Sequence, residues 1–216
     1  MNKHPWLKDY PIKQDTKYLI LGTHPPMPYC GKLEFYYGNM SEFWRLLDKV
    51  YPKNKLYSNG CPKKQDILRF LDSYKISITD MVYKTENKKF STDKEMGNIS
   101  PKDLNPFLKV WLEKSVVEKI YFTSFSNQNS AKSLFKKWFR STYGRVCRIS
   151  AFPLNKIEIN DRTIETIDLY SPSPTARRGL PGSQAYKNWS KIYNRPADYD
   201  GFRVYWYKNY LPDLTK

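Results

Sequence analysis

The chain has 216 residues, 40% of them hydrophobic and 16% aromatic, which excludes a globally disordered protein and leaves room for one sizeable core. Its 37 lysines and arginines against 21 acidic residues give a formal net charge of +16, which concentrates polyanions and fits a phosphate-rich partner. The three cysteines, Cys30, Cys61 and Cys147, are widely spaced with no CxxC pair, which argues against a zinc or iron–sulfur framework and for a reducing compartment.

The opening stretch MNKHPWLKDYPIKQ lacks the apolar core of a secretion signal. No apolar run approaches the ~20 residues of a membrane span. A cytoplasmic location without membrane contact is the expectation. Residues 17–22 (KYLILG) then read as a buried strand ending in glycine. Residues 23–39 form a loop with the aromatic cluster Phe35-Tyr36-Tyr37. Ser41 reads as an N-cap ahead of Phe43, Trp44, Leu46, Leu47 and Val50 at helical spacing. A second helix is expected over 63–74, a strand over 76–82 and a polar loop over 84–99. Ser100-Pro101 opens a helix to about Lys114, with serine as cap and proline in the first turn.

The third strand is expected over 118–124, a basic amphipathic helix over 127–143 ending at Gly144, and a strand over 146–152. Residues 157–160 and 163–170 flank Asn160-Asp161-Arg162, which suggests a hairpin. The loop SPSPTARRGLPGS over 171–183 breaks regular structure, and a helix follows over 184–193. Phe202, Tyr205, Trp206 and Tyr210 in the tail after Arg195 fit one more helix. Strands alternating with helices imply a mostly parallel sheet covered on both faces, and in such sheets ligands bind at the carboxyl ends of the strands. Three segments fall there: residues 22–26, Thr79-Asp80, and residues 171–175.

Each of these segments carries chemistry. Gly22 permits a tight turn, and Pro25 and Pro26 stiffen the loop that presents His24, one of two histidines and a residue suited to acid–base work near neutral pH. Phe35, Tyr36 and Tyr37 offer flat faces for stacking on nucleobases, while Phe43 and Trp44 lie on the apolar side of a helix and read as core. Ser171-Pro172-Ser173-Pro174-Thr175 is a stiff, hydroxyl-rich loop whose N–H and O–H groups suit phosphate oxygens, and Arg177-Arg178 add charge.

In this order, LILGTHPP…FYYGN…FWRLL resembles the first motif region of the uracil-DNA glycosylase superfamily, nearest in pattern to its mismatch-specific and hypoxanthine-type branches. ISITDMV resembles the family's base-recognition strand, EKIYFTS its third strand unit and LYSPSPT its second catalytic motif. The likeness spans about residues 17–193. It implies a three-layer α/β/α sandwich with a central, mainly parallel four-stranded sheet over residues 1–195. Residues 196–216 would form an aromatic, helical extension of the same domain. It also implies a monomeric enzyme, without metal or cofactor, that flips a deaminated base (uracil or hypoxanthine class) out of DNA and hydrolyses its N-glycosidic bond.

The resemblance places catalytic roles on His24, Asn39 and Ser171, with Ser41 an alternative to Asn39. Base contacts fall on Thr23, Tyr36, Tyr37 and Asp80. DNA contacts fall on Pro25, Pro26, Ser173, Pro174, Thr175, Arg177 and Arg178, and Thr175, Arg178 or Leu180 would fill the vacated stack. His24 stands where the family often has a carboxylate or amide, and Ser171 where its best-known branch has histidine. These two departures motivate the alternative of a glycosylase-like nucleic-acid-binding module with weak or no turnover.

Overall fold

Short β-branched and aromatic runs become strands, and segments with helical apolar spacing become helices. The architecture is that of a computed structural model, which describes every residue except Met1, Asn39, Met40, Ser41, Asn59, Ser126, Asn127, Thr215 and Lys216. In chain order the elements begin with β1 (Asn2–Lys3), β2 (Tyr18–Gly22), α1 (Phe43–Val50), β3 (Tyr57–Ser58), β4 (Cys61–Pro62), α2 (Lys64–Ser73), β5 (Ile76–Asp80) and β6 (Lys84–Thr85). They continue with α3 (Leu108–Lys114), β7 (Lys119–Phe122), α4 (Ala131–Tyr143), β8 (Leu154–Ile159), β9 (Arg162–Asp168), α5 (Gln184–Ile192) and α6 (Tyr199–Tyr210). The chain divides into two compact units, Met1–Cys30 with Leu71–Leu169 and Gly31–Phe70 with Tyr170–Lys216. Among the described residues no helix is long and apolar enough to cross a membrane.

The first unit holds the central sheet, in the order β5-β2-β7-β9-β8. β2 pairs in parallel with β5 and β7, and β7 in parallel with β9. The expected α/β class and mainly parallel sheet are therefore present, but with five strands rather than four. The extra strand comes from the hairpin: Asn160 and Asp161 sit at φ 47° and 60°, the left-handed pair of a two-residue turn, so β8 lies antiparallel to β9 at the sheet edge. The strand expected over 146–152 does not form. The Asn155 side chain holds both the N–H (2.9 Å) and the carbonyl (2.7 Å) of Ala151, so this backbone is capped locally instead of joining a ladder.

On one face of the sheet Leu19, Leu21, Ile120, Phe122 and Ile164 pack with Leu108 and Leu112 of α3 and Leu134, Phe135 and Trp138 of α4. On the opposite face Ile20, Ile78, Tyr121 and Ile167 are also buried, as parallel strands require. α3 starts later than the sequence suggests. Asn105 turns its side chain to Thr79 Oγ1 (3.2 Å) and the Asp80 carbonyl (3.1 Å) and accepts from Phe107 N–H (3.0 Å), which ties the chain to the end of β5 before the helix begins. α4 starts at Ser130, whose hydroxyl accepts from Ser133 N–H, and stops at Gly144 with φ +66°. Ser130→Ala should lower stability by about 1 kcal/mol in urea titrations; no change would mean that the cap is dispensable here.

The second unit is aromatic. α1 buries Phe43, Trp44, Leu46 and Leu47, and α6 buries Phe202, Arg203, Trp206 and Tyr207. Tyr170 meets Phe202 and Trp206 at 5.0 and 4.9 Å between ring centroids, and Trp189 of α5 meets Phe202 at 5.6 Å. The segment after Arg195 is thus helical and a core element of its unit. Glu42 just before α1, Arg45 in α1, and Asp200 and Arg203 near the start of α6 are the charged residues that fix the serine–proline loop, described below.

Candidate functional site

In the first unit, polar groups collect at the carboxyl ends of the parallel strands. Gly22 is the last residue of β2 and stays extended, so its part is not that of a turn. Strand-like pairing carries on past it: Met81 N–H donates to the Gly22 carbonyl (3.0 Å) and Val82 N–H to that of Thr23 (2.9 Å). The next residues are fixed from the other side, where Met27 and Phe90 exchange two backbone hydrogen bonds of 2.9 Å. Pro25 is buried and Pro26 half-buried.

His24 is therefore held rigidly. Its Nδ1 lies 2.7 Å from the Pro25 carbonyl, which only accepts, so Nδ1 carries the proton and Nε2 keeps a lone pair. That Nε2 is buried and makes no hydrogen bond among the described residues. Burial, reinforced by the neighbouring His4, pushes the ring pKa down to about 4, so the imidazole is neutral at physiological pH. His4 and Phe90 pack edge-on against it at centroid distances of 5.0 and 5.4 Å.

Asp80, expected to read the base, has a partner instead. Its Oδ2 lies 2.8 Å from His4 Nε2, and both side chains are almost fully buried. His4 Nδ1 accepts from Trp6 N–H (3.1 Å) and Leu7 N–H (3.2 Å), so Nε2 carries the proton and donates it to Asp80. β1 brings His4 there by pairing with β6, and His4 N–H reaches the Tyr83 carbonyl (2.7 Å). The sequence offered one signal for His4, that it is the chain's other histidine.

Asp93 is a second residue that sequence reasoning missed. It begins a short 3-10 turn, Asp93–Met96, in the segment read as a polar loop. Thr23 Oγ1 donates to its Oδ1 (2.6 Å), and Ser124 Oγ, just past β7, to its Oδ2 (3.2 Å). Asn129 donates to the Asp93 carbonyl (3.1 Å) and to that of Gly97 (2.8 Å), locking the turn in place. Desolvation pushes the carboxyl up to about 6; the Thr23 and Ser124 hydroxyls pull it down and Asp80 adds to the rise. Among the described residues no lysine, arginine or histidine pairs with it.

The remaining sequence-predicted residues lie in the second unit, apart from Asn39 and Ser41, which are outside the described residues. Tyr36 is core: it is 1% exposed, and its carbonyl accepts from Trp44 Nε1 at 2.9 Å. Tyr37 differs. It takes a left-handed φ of 56°, remains partly exposed and lies against Phe43 at 4.2 Å and 30° between planes. Of the aromatic cluster it is the one that keeps a face near solvent.

The loop over 171–175 is held by charge. Arg203 is fully buried and donates from Nη1 to the carbonyls of Ser171 (3.3 Å) and Ser173 (3.4 Å). Its Nη2 binds Glu42 and Asp200. Arg45 and Arg177 bind the same two carboxylates, so three guanidiniums share two acids. Burial raises the Asp200 pKa, but Arg203, Arg177 and Arg45 together outweigh it and hold the carboxyl below its usual value. Ser171 Oγ accepts from Ser173 N–H (3.2 Å), and the Ser173 and Thr175 hydroxyls pair at 2.8 Å. Pro174 is half-buried and starts a 3-10 stretch, Pro174–Gly182, which leaves Thr175 and Arg178 exposed and buries Leu180. Arg177 faces the ion cluster and Arg178 faces solvent.

Fold and site together define an α/β protein whose parallel sheet gathers histidine, carboxylate and hydroxyl groups at its carboxyl edge. No family model and no curated protein matches the chain. Among solved structures it is similar to the solution NMR structure of a "putative Uracil DNA glycosylase" from Methanosarcina acetivorans, at 19% identity over 89% of this chain and 92% of that one, with a TM-score of 0.47.

Proposed function

We propose that this protein is a DNA glycosylase that hydrolyses the N-glycosidic bond of a flipped, deaminated base without a metal or cofactor. The observation that carries the reading is His24: a neutral imidazole, fixed at the carboxyl end of β2, with a buried lone pair that lacks a partner among the described residues. Buried polar atoms are normally satisfied, so an orphan acceptor on a stiff loop calls for a functional partner. Water is the partner that fits. Base loss leaves an electron-poor sugar, and a water held by an acceptor adds to it without a strong base. In this reading Asp80 orients the His4 that packs on His24. In the second unit, taken by itself, Tyr37 offers an aromatic face for a base, and Ser171, Ser173, Thr175 and Arg178 offer hydrogen-bonding groups and charge suited to DNA.

The test is single-turnover excision from oligonucleotides carrying uracil or hypoxanthine, in single and double strands. Release of either base supports the reading; no release of any base, with DNA binding retained, overturns it. The engagement of Asp80 by His4 favours one other reading, a nucleic-acid-binding module of glycosylase-like ancestry, because an occupied carboxylate is a poor base reader. Product analysis separates the two.

Salt dependence separates the two arginines. Arg178→Ala should reduce the slope of log affinity against log salt by about one, as expected for one lost phosphate contact. Arg177→Ala should leave that slope unchanged and lower the melting temperature, since this side chain serves the ion cluster. Equal slopes for the wild type and Arg178→Ala would remove Arg178 from the DNA contacts.

A further inference from the structure

Asp93 is a half-buried carboxylate of the site that neither histidine nor any cation serves among the described residues. Ionising a carboxylate in such surroundings is costly, and two hydroxyls offset only part of that cost. Asp103, Asp168 and Asp200 each have a lysine or arginine nearby, whereas among the described residues none pairs with Asp93. Three strand ends contribute to its setting. Thr23 after β2 and Ser124 after β7 bond its two oxygens, and Asp80 at the end of β5 is the charged group whose field reaches it. Asn129, also packed there, is neutral, and on its own turn Lys94 and Glu95 are exposed side chains. Thr23 is covalently next to His24, so one hydrogen bond separates the carboxylate from the loop that carries the orphan lone pair. The residue as a whole remains partly open to solvent.

We propose that Asp93 is a catalytic carboxylate of this site, the group that takes a proton from the attacking water and sets a negative charge beside the sugar. This rests on the glycosylase reading and deepens it. The bond from C1′ to the base nitrogen breaks, and its electron pair leaves with the base. The water oxygen bonds to C1′. One water proton passes to Asp93 and on to solvent, and the base anion takes a proton from solvent, so atoms and charge balance. Asp93 does this work only when ionised, and His24 stays neutral over the same range, so a loss of rate on acidification is assigned to Asp93.

The test is single-turnover excision by the full chain between pH 5 and 8, on whichever base the wild type releases. The variants are Asp93→Asn and Ser124→Ala, with DNA affinity and melting temperature measured alongside. The wild-type rate should fall about tenfold per unit below about pH 6. Asp93→Asn should be about 100-fold slower or more at pH 7, with unchanged affinity, and should lose that acid limb. Ser124→Ala removes one donor to the carboxylate and should move the limb to higher pH; this variant keeps the test decisive if Asp93→Asn does not fold. An active wild type with Asp93→Asn within threefold of it overturns the inference alone. So does an acid limb that persists in Asp93→Asn or stays put in Ser124→Ala. A wild type that releases no base overturns the glycosylase reading, and this inference with it.

Discussion

Replacing His24 with alanine should slow single-turnover base release about 10²- to 10⁴-fold while leaving DNA affinity within about twofold, the range for losing a positioned acid–base group. The effect is large because the lone pair is held in one position. Nδ1 is committed to the Pro25 carbonyl and the ring is wedged between His4 and Phe90. An equal loss of rate and affinity would mean that His24 only shapes the loop. The same ring has a signature in stability. Its pKa is about 4 when folded and near 6.5 when unfolded, so the unfolded chain binds more protons and stability falls as pH drops from about 6.5 towards 4. Asp93 works in the opposite direction. Its folded pKa of about 6 lies above the unfolded 3.8, so it adds stability as pH falls through that window. His24→Gln removes the first effect and keeps the second. The stability advantage of wild type over this variant should therefore shrink by roughly 3 kcal/mol between pH 7 and 4. Urea titrations at the two pH values measure it, and a constant difference would show that the ring is not buried as a neutral base.

Glu42→Gln is the substitution with the largest expected cost in stability. Three arginines share Glu42 and Asp200, and Arg203 is fully buried. Removing Glu42 leaves three guanidiniums on one carboxylate; a buried charge left wholly unpaired costs about 3–5 kcal/mol, and Arg203, which keeps Asp200, should lose up to about 3 kcal/mol. Removing Arg45, which is 36% exposed, leaves two cations for two acids and should cost about 1 kcal/mol or less. Glu42→Gln should also loosen the serine–proline loop, because Arg203 holds the Ser171 and Ser173 carbonyls from the same cluster. Thermal melts of Glu42→Gln and Arg45→Gln test the ranking; equal effects would mean that the cluster is solvated and not a lock.

Local pattern sufficed where a residue's role is set by its near neighbours. The apolar runs of β2, β5 and β7, the Gly144 stop of α4 and the Asn160-Asp161 turn were all legible, since periodicity and left-handed tolerance act within a few residues. The strand expected over 146–152 failed for a reason outside that window, the Asn155 side chain capping Ala151. Asp93 was illegible because it sits in a charged stretch, where one aspartate looks like any other. Its character comes from Thr23 and Ser124, which are 70 and 31 residues away in sequence.

The two stiff loops are properties of the sequence itself: proline fixes φ wherever it stands, and the +16 charge needs no fold to attract polyanions. What those loops carry was decided by tertiary structure. Desolvation and partner choice depend on what the folded chain packs around a group. Burial makes His24 a neutral acceptor with a spare lone pair. His4 occupies Asp80, and the Glu42–Asp200 cluster turns Arg177 inward while Arg178 stays at the surface. Only folding gave Asp93, from a stretch that reads as a polar loop, two hydroxyl donors and no cation among the described residues.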